Sequence, residues 1–308
     1  MVILENKKYQ PIDKTNMRKN LKSAFIISLV TNLIFIVLIG YIGYSKRFSI
    51  ILRFKNIFKK ETVISNNQLK SMNNVSIPVF TEFCNNKSGK KFKILIIGNS
   101  LSYHKIVEEI GWNHISGMAA TSIEKDYAHL LYKKIENKMP DRNICMRISN
   151  FAKFERNLPS FDDKSIDSLV NFQPDIIIFQ LGENVAIEEQ NVPLLFEQEY
   201  IELINRFKKK GNPLMICTTP FFPSLEKNKI IEKVALSTNI YMVDLSHLPL
   251  LESENYAKDE KKYLGDKSVW KVDGIGIHPG DIGMKNIANQ LFITINASLF
   301  KSEIAKKQ

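Results

Sequence analysis

The chain has 308 residues, 44% of them hydrophobic and 24% charged, with a formal net charge of +11. That is enough for one sizeable domain plus a membrane segment, and too apolar for a chain that stays disordered. The three cysteines form no even disulfide framework and no pair has metal-ligand spacing, while the positive charge suits an anionic partner such as a membrane surface, with no nucleic-acid-binding motif beside it.

Residues 1–22 form a polar, basic arm carrying Lys7, Lys8, Lys14, Arg18, Lys19 and Lys22. Ser23 to Tyr44 then runs without a single charged residue. At about 1.5 Å per residue its length suits a bilayer core of about 30 Å, so it predicts one transmembrane helix. Tyr41 and Tyr44 fit the membrane interface. No small-x-small site follows, and the apolar run exceeds a signal-peptide core, which favours an uncleaved anchor over a cleaved leader. Lys46, Arg47, Arg53, Lys55, Lys59 and Lys60 flank its far end, so the charges on the two sides nearly balance. The short N-terminal arm then favours an N-in, single-pass protein with its main domain extracytoplasmic. Residues 45–90 read as a juxtamembrane segment and an Asn-, Ser- and Lys-rich linker, with one strand at 75–80.

From residue 91 to 303, short apolar runs alternate with longer amphipathic ones. Strands are expected at Phe92–Ile97, Ile144–Ile148, Asp175–Gln180, Leu214–Thr218 and Tyr241–Asp244. Helical periodicity covers Glu124–Lys138, Lys164–Asn171, Leu195–Lys210, Glu226–Thr238 and Gly283–Phe300, and Gly211 with Pro213 stops the third of these. The β-α alternation predicts a doubly wound parallel sheet of about five strands with helices on both faces. Cys145 and Cys217 lie in strand-like runs and are expected to be buried and inert, while Cys84 stays open to pairing.

The first strand of that domain ends abruptly in Gly98-Asn99-Ser100. In open α/β sheets the carboxyl ends of strands collect ligands and catalytic groups, which makes Ser100 a candidate nucleophile, the alternative being a simple turn into a helix. Gly117-Met118-Ala119-Ala120, Leu181-Gly182-Glu183-Asn184 and His278-Pro279-Gly280 follow in that order. Together the four stretches resemble the SGNH (GDSL-like) hydrolases, and the likeness covers roughly residues 90–300. Ile110-Gly111-Trp112 and Lys125-Asp126-Tyr127 add a similarity to a bacterial subgroup of them.

The resemblance implies a three-layer α/β/α, flavodoxin-like fold and a serine esterase without metal or organic cofactor. It implies Ser100 as nucleophile and His278 as base, with an oxyanion hole from the N–H of Ser100, the N–H of Gly117 and the side-chain amide of Asn184. The family's acid three residues before the His falls here on Ile275. Asp273, five before, is the first choice to orient His278; Asp244 at a strand end and a backbone carbonyl are the alternatives, while Asp281 reads as the cap of the last helix. Trp112 and Trp270 lie near the motifs and read either as sugar-stacking platforms or as rim packing. Glu183 reads as a substrate or cation contact or as a solvated turn carboxylate. The expected substrate is a small ester, such as an O-acetyl group on a cell-surface glycan. The rivals are acyl transfer to a sugar by the same site, lipid ester hydrolysis, and a catalytically inactive glycan-binding module.

Overall fold

The computed structural model describes residues 80–108, 112, 115–158, 163–250 and 275–305. The expected membrane anchor at 23–44, Asp273 and Trp270 lie outside them. Among the described residues no helix is long and apolar enough to cross a membrane.

Six strands form one sheet: β1 (Phe80–Cys84), β2 (Lys91–Gly98), β3 (Asn143–Asn150), β4 (Ile176–Phe179), β5 (Leu214–Thr218) and β6 (Tyr241–Val243). Their order is β1-β3-β2-β4-β5-β6, with every pair parallel except β1–β3. The five expected strands are all present, and their order is that of a flavodoxin-like doubly wound sheet. β2 and β4 read as unbroken apolar runs because both faces are covered, and Ile94 to Ile97 and Ile176 to Phe179 are fully buried.

The helices named here are α1 (Tyr127–Lys138), α2 (Ala152–Arg156), α3 (Asp163–Val170), α4 (Val192–Lys208), α5 (Leu225–Thr238) and α6 (Asp281–Ala305). Leu95, Ile97, Ile177 and Phe179 share a core with residues of α3, α4 and α5. Alternate strand residues point to the opposite face, where α1 packs along α6. Asp126 caps α1 by accepting from the His129 N–H, and Ser224 caps α5 by accepting from the Lys227 N–H.

Two expectations are corrected on the sheet's far edge. The linker, in which one strand is expected at 75–80, contributes β1 at Phe80–Cys84, with 75–79 outside the described residues, and its antiparallel pairing makes the sheet mixed rather than purely parallel. Cys145 is not an inert thiol: Cys84 and Cys145 stand opposite each other in the β1–β3 register and are joined by a disulfide. Sequence spacing hid the bond because the two residues lie 61 positions apart. Cys217 is the buried free thiol, and burial pushes it up to about 12.

Candidate active site

The strand order reverses between β2 and β4, where one crossover runs outward to β3 and the next turns back to β4. That switch point leaves a crevice at the carboxyl ends of the two strands, where α/β sheets bind ligands. Ser100 follows β2 and Asn184 follows β4, so both stand at this crevice. His278 arrives from the turn before α6. The Ser100 Oγ and His278 Nε2 lie 3.1 Å apart, within hydrogen-bond reach. His278 is buried, its backbone N–H donates to the Ile275 carbonyl, and its ring meets the Phe222 ring edge-to-face with centroids 5.5 Å apart. The Ser100 backbone N–H has no hydrogen-bond acceptor among the described residues.

Behind Ser100, a buried carboxylate that the sequence reading passed over organises the rim. Glu155, on α2, accepts from the Asn99 side-chain amide at 3.2 Å and the Gly182 N–H at 2.5 Å on one oxygen. Its other oxygen accepts from Asn184 Nδ2 at 2.5 Å. The Asn184 Oδ1 in turn accepts from Arg156 at 2.8 Å. With oxygen and nitrogen each claimed by an opposite charge, the amide has one orientation, and the second N–H of Nδ2 is left for another acceptor. Gly182 has φ +117°, a left-handed conformation that glycine adopts without strain, and a Cβ there would come within 3.0 Å of Pro220.

Gly117 departs from its expected role. Its N–H donates to the buried Asp126 carboxylate at 3.2 Å, so of the three groups expected as donors only the Ser100 N–H and one N–H of Asn184 lack an acceptor among the described residues. The glycine itself is required for space, since a Cβ would sit 2.3 Å from the Leu101 carbonyl oxygen. The Gly117 loop is tied to the Ser100 turn from its next residue, where the Met118 N–H donates to the Ser100 carbonyl. Asp126 also accepts from the His129 ring at 2.9 Å. Ser102 shares a hydrogen bond with Tyr127 at 2.5 Å and donates to Gln180 at 3.1 Å, which holds the turn beneath Ser100.

The remaining expectations sort by burial. Glu183 faces the interior and not the crevice. Its carboxylate accepts from the Phe221 and Phe222 N–H groups and from Gln180, and it thereby fixes the loop that carries Phe222 against His278. Burial pushes it up to about 8. Trp112 is buried with Met118, Ala119 and Ile275, so it packs the rim and presents no sugar platform. Asp281 does not cap its own helix: it accepts from the Thr121 N–H, the Thr121 hydroxyl and Lys125, joining the His278 loop to the Gly117 loop. Asp244 accepts from Thr219 and Ser246 on one oxygen and makes no hydrogen bond to His278, and those bonds hold its carboxyl low against the upward push of burial.

No family model and no curated protein matches the chain. Three solved structures are similar to it in part. A family two carbohydrate esterase from Cellvibrio japonicus is 15% identical with a TM-score of 0.39 over 67% of this chain and 60% of its own length. A carbohydrate esterase whose active site has divergent catalytic and non-catalytic binding functions is 12% identical with a TM-score of 0.41, over 69% of this chain and 67% of its own. A protein described as a GDSL-like lipase from Bacteroides ovatus is 14% identical with a TM-score of 0.38, over 68% of this chain and all of its own. The chain thus spans 60% of the length of the first of these.

Proposed function

We propose that the domain is a serine hydrolase acting on small esters. The observation that carries this reading is the Ser100 Oγ at 3.1 Å from His278 Nε2, at the switch point of the sheet. With its proton on Nδ1, His278 accepts the Ser100 proton through Nε2 as Oγ attacks the ester carbonyl carbon. The negative charge that forms on the carbonyl oxygen is received by the Ser100 N–H and the free N–H of Asn184. The C–O bond to the alcohol then breaks, and His278 returns its proton to the leaving oxygen. Water, deprotonated by the same ring, releases the acyl group from Ser100. Asp273 is the candidate to hold the Nδ1 proton.

The substrate class fits an O-acetyl group on a cell-surface glycan. The apolar run at 23–44 would tether the domain to the membrane, and the Cys84–Cys145 disulfide supports an oxidising, extracytoplasmic location for it. The test is acetate release from 4-nitrophenyl acetate by the full chain in detergent. Wild type should turn over, and Ser100→Ala and His278→Ala should each fall by about 10⁴-fold or more. Equal rates in wild type and Ser100→Ala would end the reading.

A further inference from the structure

Arg156 closes the short helix α2 at the rim, one residue after the buried Glu155. Its side chain is exposed, and one nitrogen donates to Asn184 Oδ1 at 2.8 Å. A guanidinium carries five N–H donors, so four remain. Among the described residues no carboxylate lies within ion-pair distance of it. The neighbouring Glu155 does not serve, because its carboxylate turns inward and both oxygens are filled by Asn99, Gly182 and Asn184. His104, on the turn after Ser100, feels the Arg156 charge and adds no negative charge. Burial first, then the cations Arg156 and Lys105, hold it down at about 4, so it is neutral near pH 7.

The position is informative because of what the guanidinium touches. Asn184 is held between Glu155 at its nitrogen and Arg156 at its oxygen. Arg156 therefore sits at one end of the amide whose other end offers the oxyanion donor. A group bound on the free face of the guanidinium would therefore be a neighbour of Asn184, whose second N–H is proposed to receive the carbonyl oxygen. Planar guanidinium forks match carboxylate and phosphate oxygens in pairs.

We propose that Arg156 is a subsite for a negative charge on the substrate, so that the ester cleaved here is carried on an acidic glycan or polymer with a carboxylate or phosphate near the acylated hydroxyl. The proposal rests on the hydrolase reading above and narrows its substrate class. It differs from a purely positioning role, in which Arg156 only orients Asn184 and the charge of the substrate is indifferent.

The test follows the rate at which a neutral fluorophosphonate labels Ser100 in the full chain in detergent. Ionic strength is held constant with chloride, so that general screening cannot account for a change. Inorganic phosphate, glucuronate and glucose are added in separate arms. Wild type should be protected by at least one of the two anions, with labelling slowed by about tenfold at saturation, and not by glucose. Arg156→Gln should lose that protection, while Arg156→Lys keeps part of it through charge without the fork. Protection by phosphate alone assigns a phosphorylated polymer, and protection by glucuronate alone assigns a uronate. Equal protection of wild type and Arg156→Gln, or protection of neither, overturns the proposal. A slower basal rate in Arg156→Gln, with wild type itself unaltered by either anion, marks a positioning role and overturns it as well. If wild type is labelled no faster than Ser100→Ala, the hydrolase reading fails first and the subsite falls with it.

Discussion

On one flank of the Ser100 turn, the buried Glu155 accepts from Asn184; on the other, the buried Asp126 accepts from Gly117. The two arrangements look alike, a hidden carboxylate beside a candidate oxyanion donor. They differ in how many protons the donor has. A side-chain amide nitrogen carries two, so Asn184 is fixed by Glu155 and still has one to give. A backbone nitrogen carries one, and Gly117 has given it to Asp126. The same neighbour that prepares one donor removes the other. A motif glycine is therefore no guarantee of a donor, and the carboxylates around it have to be counted.

This contrast can be broken at several points. The largest effect on activity falls on Asn184→Ala, which should lower kcat by about 10²- to 10³-fold with little change in KM. Glu155→Gln keeps the shape but weakens the grip on Asn184, and kcat should drop by about tenfold; Glu155→Ala leaves three donors buried and should destabilise the domain by about 3 kcal/mol or more in a denaturant titration. Asp126→Asn is the sharpest discriminator. Asparagine still caps α1, so stability should change by only about 1 kcal/mol and kcat by no more than about threefold. A rise in kcat well beyond that would show that Gly117 works as a donor once Asp126 releases it. The last effect is one of pH and leaves the active site untouched. His104 is held at about 4 in the fold, below its unfolded value of about 6.5. The unfolded chain binds more protons between those two values, so stability should fall as pH drops from about 6.5 to 4, by on the order of 2 kcal/mol. His104→Gln should flatten that slope in thermal melts at stepped pH.

Much of the fold could be read from local pattern. The central strands β2 and β4 hold short apolar runs that two covered faces demand, while the edge strand β6 leaves Tyr241 and Met242 exposed, and the helices between the strands follow the spacing of their buried residues. The antiparallel β1 and its disulfide could not be read this way, because both depend on a pairing partner in β3 far along the chain. The site divides along the same line. Ser100, Asn184 and His278 stand in loops marked by glycine and proline, and the structure brings Ser100 and His278 to 3.1 Å. Glu155 carried no such mark. In Phe151-Ala152-Lys153-Phe154-Glu155-Arg156 it reads as one more charge on a solvated face. It is buried only because Asn99, Gly182 and Asn184 converge on it from two other loops. The one local signal is Phe151 and Phe154, which are buried and bind this short helix to the core. Glu183 and Trp112 misled in the opposite sense: residue types that often meet substrates are here consumed by the β5–α5 loop and by the packing under Gly117.

The central claim is that Ser100 is the nucleophile and His278 its base. The direct measurement is to treat the full chain in detergent with a fluorophosphonate, digest it and map the adduct by mass spectrometry. A single adduct on the peptide bearing Ser100, absent in Ser100→Ala and strongly slowed in His278→Ala, is the result expected. An adduct on another serine such as Ser102, or none on a chain shown to be folded, would contradict it.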